Sequence, residues 1–366
     1  MGRFEIQKKA EDFYSAAEVV LASVKEIKQE TSSSVSIAFN LPDDLKKDYN
    51  YKSGQYITLK SDIGGTDVRR AYSLCSAPFE ENFSIGVKAV EGGTMSTFLN
   101  QSLRVGDEIE VMEPQGNFLV ESVAGINVAF AAGSGITPIL SMIKSVLNAG
   151  GKFVLFYGNQ TVDSTMFKKE LDELKLRFDD QFKLHYLYSK EPVENPLASG
   201  RLSKEKVLAL LKNDLELLKA DDFYICGPEE MIHHVSEVLK TLGVSEEKIH
   251  FELFTTPTKQ LDGGTTATSD FVGESQVTVV MDGDEFEFPL RADGDFILDA
   301  SMENGADAPF SCKGAVCCTC KAQVLEGKAT MDMNYSLSDE EVEEGFILTC
   351  QARPASEKLV VDYDVI

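Results

Sequence analysis

Short runs of β-branched and aromatic residues fill the first third of the chain, and clusters of Gly, Pro and Asp separate them. The runs cover residues 19–27, 34–39, 55–59, 82–89 and 108–112, and a short helix is predicted over 96–103. Short strands with turn residues between them are typical of a small antiparallel β-barrel. We therefore expect this part of the chain to form a barrel.

The pattern changes after Val123, where apolar runs are followed by amphipathic segments. Strands are predicted at 127–132, 153–157, 183–188, 223–226 and 249–254, and helices at 138–148, 165–178, 203–218 and 228–242. This alternation predicts an open, mostly parallel sheet with helices on its faces. Such sheets bind ligands beyond the carboxyl ends of their strands.

A stretch rich in Thr, Gly, Ser and Pro follows and contains few apolar residues, which is typical of a flexible tether. Alternating apolar residues then flank Asp282-Gly283, a hairpin signal, and a short helix is predicted over 296–303. We therefore expect four regions: a barrel over 15–121, an α/β domain over 122–256, a linker over 257–275 and a β-grasp domain over 276–366.

The net charge of −25 argues against nucleic acid as a partner, because binding the phosphate backbone needs a basic surface. No run of 18 apolar residues is present, so no membrane span is expected. The start of the chain lacks the apolar core of a signal peptide, and we expect a cytoplasmic location.

The acidity is uneven, since residues 271–366 hold 20 Asp and Glu against 6 Lys and Arg. This excess fits either solubility alone or an acidic face that steers a basic partner, and both remain open.

Four cysteines give the clearest chemical signal in the chain. Cys312, Cys317 and Cys320 follow the spacing C-x4-C-x2-C, and Cys350 comes twenty-nine residues later. This is the spacing of plant-type [2Fe-2S] ligands. The small residues Gly314 and Ala315 would let backbone N–H groups turn toward the cluster sulfurs. The sequence therefore predicts a [2Fe-2S] cluster held by these four thiolates.

Cys318 does not fit this ligand set, because its use instead of Cys317 would place two ligands too close together. We predict that it is a bystander. Zinc is the main alternative, but its sites usually have two separated C-x2-C pairs and only one is present. An odd total of seven cysteines and the missing secretory signal disfavour disulfides.

The predicted barrel contains two segments with unusual chemistry. Arg70-Ala71-Tyr72-Ser73 ends one strand and offers a guanidinium for phosphate, a flat aromatic face and a hydroxyl. The turn at Gly92-Gly93 runs into the predicted helix, where backbone donors and the Ser96 hydroxyl would meet a phosphate.

Glycine-rich turns also follow two strands of the α/β domain. In Gly133-Ser134-Gly135-Ile136-Thr137-Pro138, Thr137 is expected to cap the helix and Pro138 to take its first position. The glycines then lie where a pyrophosphate meets a helix N-terminus. Cys226-Gly227-Pro228 repeats the arrangement, although a free Cys in a strand is usually inert and buried.

Together these motifs resemble the ferredoxin-NADP reductase family, whose signature R-x-Y-S is followed by a Gly-rich turn with Ser. Gly54-Gln55 and the segment PQGNF at 114–118 are also similar to that family. The resemblance implies FAD at the barrel, contacted by Arg70, Ala71, Tyr72, Ser73, Val87, Lys88, Gly93, Met95 and Ser96. It implies NADPH or NADH at the α/β domain, contacted by Gly133, Gly135, Thr137, Pro138, Cys226, Gly227, Pro228 and Phe254.

The same resemblance implies catalytic roles for Ser73 beside the flavin and for Cys226 and Glu252 beside the nicotinamide. Gln160 stands where relatives often have Arg in Y-G-N-R, so the preference between NADPH and NADH stays open. Residues 276–366 are similar to the plant-type ferredoxin family. The implied fold is an antiparallel β-barrel FAD domain, an α/β nucleotide-binding domain and a β-grasp ferredoxin domain.

This order of domains resembles the reductases of multicomponent oxygenases. The implied electron route runs from NAD(P)H to FAD, then to [2Fe-2S], and then to an oxygenase component as protein partner. A flavin suits this route because nicotinamide gives two electrons as a hydride and the cluster accepts one at a time. The alternatives are a reductase for another acceptor, such as a lipid desaturase or hydroxylase, a non-catalytic redox sensor, and a structural zinc protein.

Overall fold

The computed structural model describes residues 19–42, 47, 49–254 and 270–365. These residues fall into two compact units, one covering 20–254 and the other 270–365. Most of the predicted linker lies outside the described residues, and its last two residues already belong to a strand that begins at Glu274. No helix in the described ranges is long and apolar enough to cross a bilayer.

The first part of the larger unit is a six-stranded antiparallel sheet, as the sequence predicted. Its strands pair in the order β4-β3-β6-β1-β2-β5, and Ile37, Ile57 and Val111 are fully buried in its core. The elements are β1 (Val19–Thr31), β2 (Ser34–Asn40), β3 (Tyr56–Asp62), β4 (Asp67–Ser73), β5 (Phe83–Lys88), α1 (Thr94–Gln101) and β6 (Glu108–Met112).

The second part of this unit is a five-stranded parallel sheet with the order β11-β10-β7-β8-β9. Its first half contains β7 (Ile126–Ala132), α2 (Ile136–Asn148), β8 (Lys152–Asn159), α3 (Lys168–Arg177) and β9 (Phe182–Tyr188). Its second half contains α4 (Lys204–Asn213), β10 (Asp222–Cys226), α5 (Glu229–Thr241) and β11 (Ile249–Glu252). The predicted parallel α/β sheet is confirmed.

The helix ends differ from the prediction at two places. A 3-10 turn at Gly133–Gly135 leads directly into α2, so the helix starts at Ile136 and Pro138 takes its third position. The Thr137 hydroxyl donates to the Ser134 carbonyl and does not cap the helix, so that prediction was wrong. The predicted helix over 203–218 breaks at Asp214, whose φ of −146° is not helical, and a separate 3-10 turn follows.

The smaller unit is a five-stranded sheet with the order β13-β12-β18-β14-β16, and β15 pairs with β17 beside it. The predicted hairpin is present, because Asp282 and Gly283 both have positive φ and join antiparallel strands. The elements are β12 (Glu274–Met281), β13 (Asp284–Arg291), α6 (Ile297–Glu303), β14 (Lys321–Glu326), β15 (Ala329–Met331), α7 (Asp339–Glu343), β16 (Phe346–Leu348), β17 (Ala352–Pro354) and β18 (Lys358–Asp362).

Gly135 marks the closest backbone approach in the α/β sheet. A Cβ atom at this position would lie 2.1 Å from the Cys226 carbonyl oxygen, well inside van der Waals contact. The turn that follows β7 therefore packs directly on the end of β10. Only glycine permits this, because any side chain would push the two strand ends apart.

We expect Gly135→Ala to lower the stability of the larger unit by about 1–3 kcal/mol, the usual cost of overpacking. Gly158→Ala is the matched control, because its Cβ would meet its nearest neighbour at 3.6 Å. The control should be neutral or slightly stabilising. The chain has no Trp, so urea unfolding should be followed by far-ultraviolet circular dichroism. Equal midpoints for the two variants would contradict the close approach.

Candidate functional site

The four predicted cluster cysteines form two pairs in the smaller unit. The Cys312 and Cys317 sulfurs lie 3.1 Å apart, and the buried Cys320 thiol is hydrogen-bonded to Cys350. A two-iron cluster needs such an arrangement, with two thiolates for each iron. Within the described ranges, no three His, Cys, Asp or Glu side chains converge as a single-ion site requires. The two sulfur pairs therefore fit the predicted cluster.

The backbone of the cysteine loop supplies hydrogen-bond donors to these sulfurs. Lys313 and Ala315 have φ of 50° and 61°, a left-handed conformation that turns the intervening N–H groups inward. The N–H of Gly314 donates to the Cys312 sulfur at 3.3 Å. The Cys317 thiol and the loop N–H groups hold the pKa of the Cys312 thiol below its usual value. The loop therefore presents backbone donors to the Cys312 sulfur.

The carbonyl groups of the same loop point outward and are tied to other segments. The Ala315 carbonyl accepts from the Tyr335 N–H at 3.1 Å, and the Cys317 carbonyl accepts from the Ser336 hydroxyl at 3.0 Å. Thr349 donates to the Cys320 carbonyl through its N–H and its hydroxyl. These anchors were not predicted. Tyr335 and Ser336 lie in a segment that carries no local motif, and Thr349 precedes the predicted ligand Cys350 without a pattern of its own.

The Cys318 thiol is bonded to the segment that follows the cysteine loop. It donates to the Ser336 carbonyl at 3.3 Å, and burial raises the pKa of this thiol to about 11. The geometry agrees with a bystander role.

The buried hydroxyl of Ser311, directly before Cys312, tests whether the site fits a cluster. Among the described atoms it has no hydrogen-bond partner. Buried hydroxyls in folded proteins are nearly always paired. A group with sulfur acceptors beside this residue would satisfy it, so the surroundings fit an iron–sulfur cluster.

The predicted flavin residues lie along β4 and around α1. Arg70 is exposed and donates to the Arg69 carbonyl at 2.6 Å, which leaves most of its guanidinium donors accessible. Burial raises the pKa of the Tyr72 phenol well above its usual value, so this ring stays neutral. These side chains fit a ligand that presents a phosphate and an aromatic ring.

The helix start beside them is crowded. A Cβ atom at Gly93 would lie 2.6 Å from the Ser96 hydroxyl oxygen, which accepts the Val90 N–H at 3.1 Å. The side chains of Val87 and Met95 are buried in the barrel core. These two residues can therefore contact a ligand only through their backbone groups.

Lys88 connects the barrel to the first Gly-rich turn. Its ammonium lies 3.8 Å from the position that a Cβ atom of Gly133 would take, and Gly133 has a φ of +56°. A lysine and open backbone donors thus face the same space. This arrangement suits a phosphate group.

Ser73, Cys226 and Glu252 come together at the strand ends. Cys226 and Glu252 are directly opposite each other on the parallel strands β10 and β11. The Ser73 hydroxyl, at the end of β4, donates to the Glu252 carboxylate at 3.3 Å. Three segments far apart in sequence therefore form one cluster, as a shared catalytic role requires.

Burial dominates the electrostatics of this cluster. It raises the pKa of Glu252 to about 8, and the Ser73 hydrogen bond opposes the shift. Burial, together with the Glu252 charge, raises the pKa of the Cys226 thiol well above its usual value. Cys226 is therefore a neutral thiol, whereas Glu252 changes its charge in the working range of an enzyme.

Of the remaining predicted coenzyme residues, Pro228 precedes α5, and Gly227 packs against Met231 and Ala132. Phe254 is 42% exposed, at the end of the described part of the larger unit. Its partly exposed ring lies two residues beyond Glu252. The glycines before α2 and α5 lie at the carboxyl ends of the neighbouring strands β7 and β10.

Three family models match successive parts of the chain. The oxidoreductase FAD-binding domain matches residues 21–119, the oxidoreductase NAD-binding domain matches residues 130–237, and the 2Fe-2S iron-sulfur cluster binding domain matches residues 279–355. The chain is therefore an oxidoreductase that carries FAD, a pyridine nucleotide site and a [2Fe-2S] cluster.

Curated relatives match along nearly the whole chain. The E component of 1,2-phenylacetyl-CoA epoxidase from Escherichia coli K12 is 39% identical over 93% of this chain and 97% of that protein. The ferredoxin reductase component of 3-ketosteroid-9-alpha-monooxygenase from Rhodococcus rhodochrous is 32% identical over 94% and 97%.

A solved structure agrees with the fold. Phthalate dioxygenase reductase, described as a modular structure for electron transfer from pyridine nucleotides to [2Fe-2S], has a TM-score of 0.56 and 24% identity. The match covers 94% of this chain and 98% of that one. With its three matched domains in this order, the chain belongs to the ferredoxin-NADP reductase family, among the members that carry a C-terminal plant-type [2Fe-2S] ferredoxin domain.

Proposed function

We propose that this protein is the reductase of a multicomponent oxygenase and passes electrons from NADPH or NADH through FAD and [2Fe-2S] to an oxygenase component. Phenylacetyl-CoA epoxidase is the favoured acceptor system, which would place the protein in phenylacetate catabolism. The observation that carries this proposal is the 39% identity to the E component of that epoxidase over 93% of the chain. The adjacent cysteines Cys317 and Cys318 also make the cluster motif similar to that of the phenylacetyl-CoA epoxidase reductases.

A second acceptor class has its own support. The relative from a steroid monooxygenase, at 32% identity, covers as much of the chain. A hydroxylase acting on a lipid is therefore the alternative partner. Reduction of the two purified oxygenase components, compared side by side, separates these acceptors.

The site residues divide the work as follows. Arg70, Tyr72 and Ser96 bind the flavin nucleotide, and Lys88 with the Gly133 turn neutralises phosphate charge between the two cofactors. FAD, when bound, converts a two-electron hydride into single electrons. Ser73 and Glu252 hold a proton between their oxygens, and the fully buried Cys226 would lie beside the nicotinamide.

The four ligand thiolates divide into the pairs Cys312 with Cys317 and Cys320 with Cys350. We also place the protein in the cytoplasm, where both coenzymes are abundant, and keep the domain limits 15–121, 122–256 and 276–366.

We expect Ser substitution of Cys312, Cys317, Cys320 or Cys350 to remove most of the iron, because each thiolate completes the coordination of one iron. Cys318→Ser is the matched control and should keep its iron and its absorption spectrum. Iron and acid-labile sulfide per protein give the readout. A Cys318 variant as depleted as the Cys317 variant would show that the ligand register is wrong.

Glu252 should make hydride transfer dependent on pH. Burial favours the neutral carboxyl, so the ionised fraction rises only as pH passes about 8. The nicotinamide becomes positive when it gives up its hydride, and a carboxylate stabilises this charge. We expect the rate of flavin reduction to rise with pH, by at least about tenfold for one interaction of ~1.4 kcal/mol.

Two variants check the assignment to Glu252. In Glu252→Gln the rate should stay at its low-pH value across the range. Ser73→Ala removes a hydrogen bond that lowers the pKa of Glu252, so its midpoint should move to higher pH. Rapid-mixing absorbance of the flavin measures both. If the Gln variant keeps the step near pH 8, another group is titrating.

A protein truncated after Thr256 tests the electron route. Because residues 20–254 form a compact unit, it should stay yellow and reduce an artificial acceptor with NAD(P)H. It should lose turnover with the oxygenase component, since the cluster is absent. A folded but colourless product would refute the flavin assignment of Arg70 and Tyr72. Full oxygenase turnover without the cluster domain would overturn the route itself.

A further inference from the structure

A buried seam joins the barrel to α2. The Ser141 hydroxyl donates to the Ser76 carbonyl at 2.6 Å, and its oxygen is within hydrogen-bond distance of the Ser53 hydroxyl oxygen at 3.1 Å. Ser53 also shares a hydrogen bond of 2.6 Å with Ser145, one turn further along the helix. Ser53, Ser76 and Ser141 are all buried. These buried hydrogen bonds join the barrel surface to the α2 surface at a place where water does not compete for them.

Lys144 completes this seam with a charge. Its side chain is only 10% exposed, and its ammonium bonds the Cys75 carbonyl at 3.2 Å, Glu80 at 3.1 Å and Glu170 at 2.7 Å. Cys75 and Glu80 belong to the barrel, whereas Glu170 lies on α3. An ammonium has three donors, so all three are used on three different segments. This fixes the orientation of the barrel against the helices.

The seam acts on the same segment that carries Ser73. Lys144 and Ser141 hold Cys75 and Ser76, two and three residues beyond the serine that contacts Glu252. The N-terminal end of α2 directly follows Gly135, which packs on the Cys226 carbonyl. From Gly135 to Lys144 the helix spans about 13 Å. One rigid helix therefore connects Cys226 to the segment that carries Ser73.

We propose that Lys144 and Ser141 are positioning residues for hydride transfer, with α2 as a strut that sets the separation of flavin and nicotinamide. This inference rests on the proposed electron route. Transfer between two bound rings depends steeply on their distance, and a displacement near 1 Å can lower the rate by about 100-fold. Neither residue is among the predicted cofactor contacts, and their effect passes through Ser73 and Cys226.

The test compares Lys144→Met and Lys144→Arg in the full protein loaded with FAD and cluster. Lys144→Met keeps the chain length and removes the charge, and Glu80 and Glu170 can then turn to solvent because they are 34% and 31% exposed. The control is Lys169→Met on α3. The Lys169 side chain is 82% exposed, and its ammonium is as far as 3.9 Å from the Glu173 carboxylate oxygen.

Flavin reduction is followed by anaerobic rapid mixing with NADH and with NADPH. We expect Lys144→Met to lower the limiting rate by at least about tenfold while the half-saturating coenzyme concentration changes by less than about threefold. Long-wavelength charge-transfer absorbance between the two rings should weaken in parallel. Lys144→Arg should recover most of the rate, and Lys169→Met should match the wild type.

A wild-type limiting rate in Lys144→Met, or a loss confined to coenzyme affinity, overturns the positioning role. If that variant does not retain FAD, Ser141→Ala decides, because it removes two hydrogen bonds and no charge. Its limiting rate should fall by about threefold or more, and an unchanged rate again overturns the proposal. If neither NADH nor NADPH reduces the flavin of the wild type, the proposed electron route fails, and this inference fails with it.

Discussion

The larger unit depends on one contact, the hydrogen bond between Ser73 at the end of a barrel strand and Glu252 at the end of a parallel strand. It joins two sheets of different architecture at the point where their ligands have to meet. Hydride transfer tolerates little error in distance, so this contact requires a fixed interface. The serine seam, the buried Lys144 and the glycine at position 135 all supply that rigidity. The seam, Lys144 and Gly135 therefore serve the same requirement, which is a fixed distance between the two sheets at the Ser73–Glu252 contact.

The cluster loop meets a different physical requirement. A cluster with charged ligands inside an apolar core needs hydrogen-bond donors around its sulfurs. The left-handed residues Lys313 and Ala315 turn N–H groups inward, and the outward carbonyls are taken by Tyr335, Ser336 and Thr349. No loop carbonyl among these points at the negative sulfurs. The segments of Tyr335 and Ser336 therefore shape the electrostatics of the site without supplying a ligand, and the segment of Thr349 also carries the ligand Cys350.

Two buried ionisable groups, Lys144 and Glu252, differ in the number of their hydrogen-bond partners. Lys144 has a partner for each of its donors and stays charged, so it works as a fixed structural element. Among the residues that the structure describes, Glu252 has only the Ser73 hydroxyl as a partner, and its pKa rises to about 8. The difference is the number of compensating groups, and it separates a positioning charge from a titrating one.

The sequence by itself determined the domain order, the strand and helix types, and the chemistry of the cofactors. The elements follow from local periodicity and the cluster follows from the spacing C-x4-C-x2-C, whereas FAD and the pyridine nucleotide followed from the resemblance of motifs such as R-x-Y-S to a known family. It also identified Ser73, Cys226 and Glu252, although only through a family resemblance. The helix start at Ile136 was missed because the 3-10 turn before it supplies the first hydrogen bonds, which made a side-chain cap unnecessary.

Tertiary structure alone decided which of these residues meet and what holds them. Ser73 and Glu252 are 179 residues apart, and no local pattern encodes their contact. The seam of Ser53, Ser141 and Lys144 was invisible in the sequence, since serines and a lysine on an amphipathic helix look like an ordinary solvent-facing surface. Burial gives these residues their function, and burial depends on which surfaces the folded chain brings together.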